Sequence, residues 1–365
     1  MEGKRDPTAA RGGRTGSATP SIGLSLFYAH PHQYLCEFGF VIQSMSGQGT
    51  RQLVDFGGHV HPTDPEAFAY YHDFIEENDG SPVCRDAKAV QRRYANSAVD
   101  YTVLSQPYFM GHGDADETAT ANDELLRIVE EFDEFFGLAA IPTAAGGEAA
   151  ANELERSLEA GYHGGAIETK SDGIELIDDE LESVFRVAEK HDAPLLVHPK
   201  LHDSLHEDVL DDTWRLNAIF GREVALCESI CKVIHEGVLD RHPKLNLVYH
   251  HTGGNLAAML DRVRLQLDDD LWPGLDDVVS YREFEETFET RIYVDTSGYD
   301  GSPSVLRRTL ETLPSSHVLF GTDFPYETRT PETFEALITS VTETCSESDS
   351  KRILGANAFE LLTNT

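Results

Sequence analysis

The chain has 365 residues, 64 acidic and 29 basic, and a formal net charge of −35. A surface this acidic excludes nucleic acids as partners, because they require basic patches. No apolar run approaches the roughly 18 residues that span a bilayer, and the length suits one large α/β domain.

The acid excess runs along the chain rather than collecting in a tail, and arginine outnumbers lysine. Such a surface repels itself at low ionic strength. In about 1 M salt the Debye length falls to about 3 Å and the repulsion is screened. This reads as a cytoplasmic protein of an extreme halophile. Five cysteines, Cys36, Cys84, Cys227, Cys231 and Cys345, are odd in number and scattered. That pattern fits reduced thiols better than a disulfide framework. Cys227 and Cys231 sit four apart in a helical stretch with no second pair, and read as core thiols.

Residues 1–44 stand apart. Lys4, Arg5, Arg11 and Arg14 against Glu2, Asp6 and Glu37 give them a net charge of +1, which leaves −36 for the rest. Gly, Ser, Thr and Pro crowd their first twenty positions. They read as a disordered or non-native extension, with the native start at Met45 and one domain over 45–365. His30 and His32 lie in this extension, with no strand to deliver them to a shared site.

From Arg51 onward, eight short apolar runs alternate with helical patterns. The runs are 51–56, 100–105, 137–141, 164–168, 194–197, 245–250, 291–295 and 317–320. Several are apolar on both faces, as buried parallel strands are. Between them, 179–190 carries Leu181, Val184, Phe185 and Ala188 on one helical stripe. Eight strand–helix units predict an α/β fold, a (β/α)8 TIM barrel. A doubly wound sheet is the alternative, but the glycine-rich phosphate loop after its first strand is missing. The long connections 62–97 and 200–223 leave strands one and five at the end where barrels build their sites, and read as lid insertions.

The chemistry-bearing residues sit where these runs end. His59-Val60-His61 comes after the first run, and a strand's period of two turns both imidazoles to one face. The fifth run ends at His198-Pro199, the sixth at His250-His251-Thr252-Gly253-Gly254 and the eighth at Gly321-Thr322-Asp323. Strand ends share one mouth in a barrel, so four histidines and an aspartate converge there on a metal or catalytic site. Adjacent His250 and His251 face opposite sides of a strand. The Gly-Gly pair gives room beside His251, so His251 is expected inside and His250 packed outside.

Segments 161–170 (GYHGGAIETK), 193–199 (APLLVHP), 237–254 (GVLDRHPKLNLVYHHTGG), 318–326 (VLFGTDFPY) and 353–362 (ILGANAFELL) carry a resemblance. Together they resemble the amidohydrolase-related family, in its aminocarboxymuconate-semialdehyde decarboxylase-like branch. The resemblance implies a distorted (β/α)8 barrel with one divalent metal, bound by His59, His61, His198 and Asp323, and His251 as the acid/base residue. It is also compatible with a homodimer. The chain departs from the family at Gly57, where an acidic residue is common, and at Lys200, where the decarboxylase has tryptophan. A carbamylated lysine bridging two metals would need Lys170 to reach inward, and one metal is the expectation.

Three neutral imidazoles and a carboxylate leave such a site with a net charge of +1. An open coordination position would lower the pKa of a bound water toward about 7. His251 suits proton transfer near neutrality, and Asp323 suits orienting or deprotonating the water. Zn2+ is the default ion for this donor set, and Mn2+ or Fe2+ also match it. Arg262 is the candidate contact for a substrate carboxylate, and Trp214 the candidate platform for a planar substrate. The expected function is hydrolysis of a small organic acid or amide through metal-activated water. The alternatives are non-oxidative decarboxylation of a small unsaturated or aromatic acid and, more remotely, non-catalytic metal binding. The charge pattern makes one prediction: the melting temperature rises as salt increases from dilute buffer to molar KCl, and unfolding by high salt would overturn the halophilic reading.

Overall fold

In the computed structural model, nine parallel strand segments close into one barrel. The structure describes residues 52–62, 86–199, 214–268, 271–272, 278–299, 301–327 and 330–363. The extension 1–44, Met45, His30 and His32, and most of the two expected lids lie outside the described residues. One unit, Arg51–Thr365, holds the barrel.

Strands β1 (Val54–His59), β2 (Tyr101–Ser105) and β3 (Phe135–Gly137) pair in order. A second run begins at β4 (Ala139–Ala140) and β5 (Gly165–Glu168). A small antiparallel hairpin of β6 (Lys170–Ser171) and β7 (Ile174–Glu175) comes after β5, outside the barrel sheet. The barrel continues through β8 (Leu195–His198), β9 (Leu247–Tyr249), β10 (Ile292–Asp295) and β11 (Val318–Leu319). β3 and β4 are halves of one stave. Leu138 N donates to Leu104 O and Ala139 N to Gly164 O, so the chain changes partner at this point. Closure comes from Phe56 N donating to Phe320 O and His59 N to Phe324 O, both at 2.8 Å. The eight staves match the eight apolar runs, and a closed ring excludes the doubly wound alternative.

Side-chain alternation separates two cores. Val54, Phe56, Val103, Phe136, Ala140, Ala166, Leu196, Val248 and Leu319 fill the barrel. Their strand neighbours Leu104, Ala139, Ile167, Leu195, Val197, Leu247, Tyr249 and Val294 pack with the surrounding helices. Helix α1 (Glu182–Lys190) shows how those helices dock: it buries Val184, Phe185 and Ala188, the stripe expected from sequence. No helix among the described residues is long and apolar enough to cross a membrane.

β1 runs to His59, three residues past the expected end at Phe56. Its register shifts between Asp55 and Gly58, and the two glycines carry the strand through a tight passage. A Cβ at Gly57 would meet His250 Cε1 at 2.9 Å, and one at Gly58 would meet Thr102 Cγ2 at 2.6 Å.

Asp55 ties the first strand to the last. Its carboxylate accepts hydrogen bonds from Gly57 N (3.0 Å), Tyr94 Oη (2.8 Å), Thr322 N (3.0 Å) and Thr322 Oγ1. Burial pushes its pKa up to about 6 in spite of these donors. Asp55→Ala strands all four donors in a buried place, and should cost roughly 3 kcal/mol or more in denaturant unfolding. A loss under about 0.5 kcal/mol, the range of ordinary surface changes, would show that closure does not depend on it.

Candidate active site

The alternation that fills the barrel also builds its mouth. Two residues beyond interior Leu196 stands His198, and two beyond interior Val248 stands His250. His59 ends β1, Asp295 ends β10, and Asp323 lies in the turn after β11. His59, His250 and Asp295 are fully buried, His251 and Asp323 nearly so, and His198 keeps partial exposure.

Asp323 is the hub. Its Oδ1 lies 3.0 Å from His59 Nε2 and 3.5 Å from His250 Nε2, and its Oδ2 lies 3.7 Å from His251 Nε2. The far nitrogen of each ring is held from behind. His59 Nδ1 meets Ser105 Oγ at 2.9 Å, His250 Nδ1 meets Asp295 Oδ2, and His251 Nδ1 meets Glu223 Oε1 at 3.0 Å. Tyr299 Oη in turn donates to Glu223 Oε2 at 2.8 Å. The His198 ring stands 5.3 Å from those of His59 and His250. Ligand atoms of His59, His198 and His250 lie within 4.8 Å of one another, as do those of His250, His251 and Asp323.

This arrangement fits a metal. His59 Nε2 and His250 Nε2 are buried and make no hydrogen bond, although a carboxylate oxygen stands close to each. The two groups of converging ligand atoms share His250. Carboxylate and hydroxyl partners behind the rings orient them, as such partners orient metal-binding histidines. Burial pulls the pKa of His59 and His198 down, which favours the neutral form that ligates. Burial also opposes charge on His250 and His251. There the carboxylates win: Asp295 and Asp323 push His250 up to about 10, and Asp323 and Glu223 push His251 up to about 9. Burial would raise Asp323, but the facing histidines hold it well below the usual carboxylate range.

His250 faces inward, not outward as expected. The strand's alternation carries it in, and β9 stops at Tyr249, so His251 is no longer bound to the opposite face. A positive φ of 51° swings His251 inward as well, and Thr252 after it has φ of 50°. Asp323 has φ of 48°. Left-handed backbone at residues other than glycine costs about 1–3 kcal/mol each and clusters at functional sites. Gly298 packs directly on His251, and a Cβ there would lie 2.7 Å from its Cγ.

His61 joins neither group of converging ligands. Its Nε2 lies 2.8 Å from Tyr326 Oη, and its ring 5.0 Å from that of Tyr108. The period-two argument needs a continuing strand, and β1 ends at His59. Lys170 pairs with Glu175 at 3.2 Å on the β6–β7 hairpin rather than reaching inward. Arg262 is exposed on the short helix Leu260–Gln266, whose buried residue is Leu260, and Trp214 is 71% exposed. Ser105, Glu223, Asp295 and Tyr326 escaped the sequence reading. Ser105 and Asp295 carried a signal, since each ends a strand run, whereas Glu223 arrives from a helix with none.

A family model described as amidohydrolase matches residues 54–363. The chain is 28% identical over 297 residues to 2-amino-3-carboxymuconate-6-semialdehyde decarboxylase of Dictyostelium discoideum, covering 79% of each chain. It is 27% identical over 224 residues to gamma-resorcylate decarboxylase of a Rhizobium species, covering 57% of this chain and 65% of that one. Among solved structures, 5-carboxyvanillate decarboxylase LigW of Sphingomonas paucimobilis aligns with a TM-score of 0.72 at 22% identity, over 87% of this chain and all of that one. A dihydroxybenzoic acid decarboxylase of Polaromonas sp. JS666, with bound manganese and 2-nitroresorcinol, aligns with a TM-score of 0.73 at 19% identity, over 86% and 97%. These likenesses confirm the distorted TIM barrel, and the family match, running from β1 to the last helix, makes this chain a member of the amidohydrolase family of enzymes.

Proposed function

We propose that this enzyme removes CO2, without oxidation, from a small aromatic or unsaturated carboxylic acid. One divalent metal would be held by His59, His61, His198 and Asp323, and His251 is the acid/base residue. The observation that carries the reading is that the curated relatives aligning with most of the chain are named decarboxylases. It is better supported than the hydrolysis expected from the sequence. Manganese, bound in the Polaromonas structure, joins zinc as an ion to test first.

When bound, the metal supplies a positive charge that fixes a substrate oxygen and stabilises the electrons released as the bond to the carboxylate breaks. His251 does the proton work. Glu223 and Asp323 flank its two nitrogens, and Gly298 leaves no space for the ring to drift. The carbon that loses CO2 takes the pair of electrons from the broken bond and a proton from His251 Nε2. Each turnover therefore consumes one proton and no net water. Burial of the surrounding groups keeps bulk water from competing at that carbon.

Purified enzyme loaded with Mn2+ or Zn2+ should release CO2 from a panel of hydroxybenzoates and unsaturated amino or hydroxy acids. In D2O the product should carry deuterium at the vacated carbon. Hydrolysis of esters, amides or lactones with no CO2 from any acid would reverse the choice. His251→Ala should lower kcat by at least about 100-fold while the metal content stays as in the wild type, in line with the usual contribution of a general acid. Gly298→Ala should displace the same ring and lower kcat at least about tenfold, since small misplacements are costly. Wild-type turnover in either variant would remove His251 from the mechanism.

A further inference from the structure

The acid/base histidine is braced by a glutamate that no strand directs. Glu223 stands in the first turn of the helix Arg222–His235, and its side chain keeps partial exposure. A long side chain of this kind has many rotamers, and holding one of them costs entropy. We infer that Tyr299 is a positioning residue for His251, acting through Glu223. This rests on the reading of His251 as the acid given above.

Three sets of contacts carry the inference. Tyr299 Oη donates to Glu223 Oε2 at 2.8 Å, while Glu223 Oε1 faces His251 Nδ1 at 3.0 Å, so each oxygen of the carboxylate has a fixed partner. Burial and the Glu223 carboxylate push the Tyr299 pKa up, which keeps the hydroxyl protonated and makes it the donor. The backbone of Glu223 is set independently of Tyr299. A Cβ at Gly254 would meet Glu223 O at 2.3 Å, and one helical turn on, Cys227 Sγ donates to Gly254 O at 3.2 Å. The helix is thus seated directly on the turn that carries His251, and what is left for Tyr299 to aim is the Glu223 side chain.

The segment after β10 therefore acts on the histidine twice. Gly298 packs against the ring and limits its movement, and Tyr299, next in the chain, fixes the carboxylate behind it. The hydrogen bond made by one imidazole nitrogen decides what the other presents. Glu223 at Nδ1 keeps a proton there and leaves Nε2 for the reacting carbon.

The test is a double-mutant cycle on the metal-loaded full chain in molar salt, with the acid of the panel above that loses CO2 fastest. Tyr299→Phe removes one oxygen and should lower kcat about tenfold, while KM, metal content and melting temperature stay as in the wild type. Glu223→Ala should lower kcat at least as far. Adding Tyr299→Phe to Glu223→Ala should change kcat less than about twofold, because the hydroxyl has nothing left to aim. Tyr299→Leu takes the place of the phenylalanine variant if that one does not fold. Wild-type kcat in Tyr299→Phe or Glu223→Ala, or effects of the two changes that multiply, overturns the inference and leaves His251 in place. Wild-type turnover by His251→Ala, or no loss of CO2 from any acid, instead overturns the reading above and the inference with it.

Discussion

One buried carboxylate governs the barrel mouth. Asp323 is almost wholly removed from water, where an unpaired charge would cost several kcal/mol. Three imidazoles surround it, and each is anchored from behind by a different stave or helix: Ser105 on β2, Asp295 on β10 and Glu223 at the start of Arg222–His235. The polar groups of the site are therefore interlinked, and moving one ring unsettles the others. A buried polar network is rigid where its members are paired, and one missing member is expensive. The left-handed backbone at His251 and Asp323 is tolerated because this frame holds it in place.

That frame brings two adjacent residues to the same mouth. A strand can direct only alternate side chains to one face, so His250 and His251 could not both reach the mouth while β9 continued. Ending the strand at Tyr249 releases the second of them. The result is a pair of stacked imidazoles with different carboxylates behind them, Asp295 for His250 and Glu223 for His251.

Much of the fold and part of the site were legible in the sequence. The eight staves stood out because buried parallel strands are short, apolar runs between turn residues. His198 and Asp323 were singled out simply from their position at the ends of two such runs. The reading failed where regular periodicity stops. His250 was turned outward by a choice that the backbone turn at His251 made unnecessary. Glu223 and Tyr326 reach the site through tertiary packing alone, which no local pattern encodes. Arg262 and Trp214 were chosen for their chemistry without any element to aim them, and both are exposed.

The closing bond between Asp55 and Thr322 joins residues 267 positions apart. Asp55 and His59 share the first strand, while Thr322 and Asp323 share the turn after the last. A chain growing from the ribosome thus carries half of its site for most of its synthesis, with the edge of β1 unpaired beside it. Pairing that distant cannot form before the last stave exists. Closing the barrel and bringing His59 beside Asp323 are the same late event, so the barrel mouth is assembled in a nearly finished polypeptide and not in a nascent one.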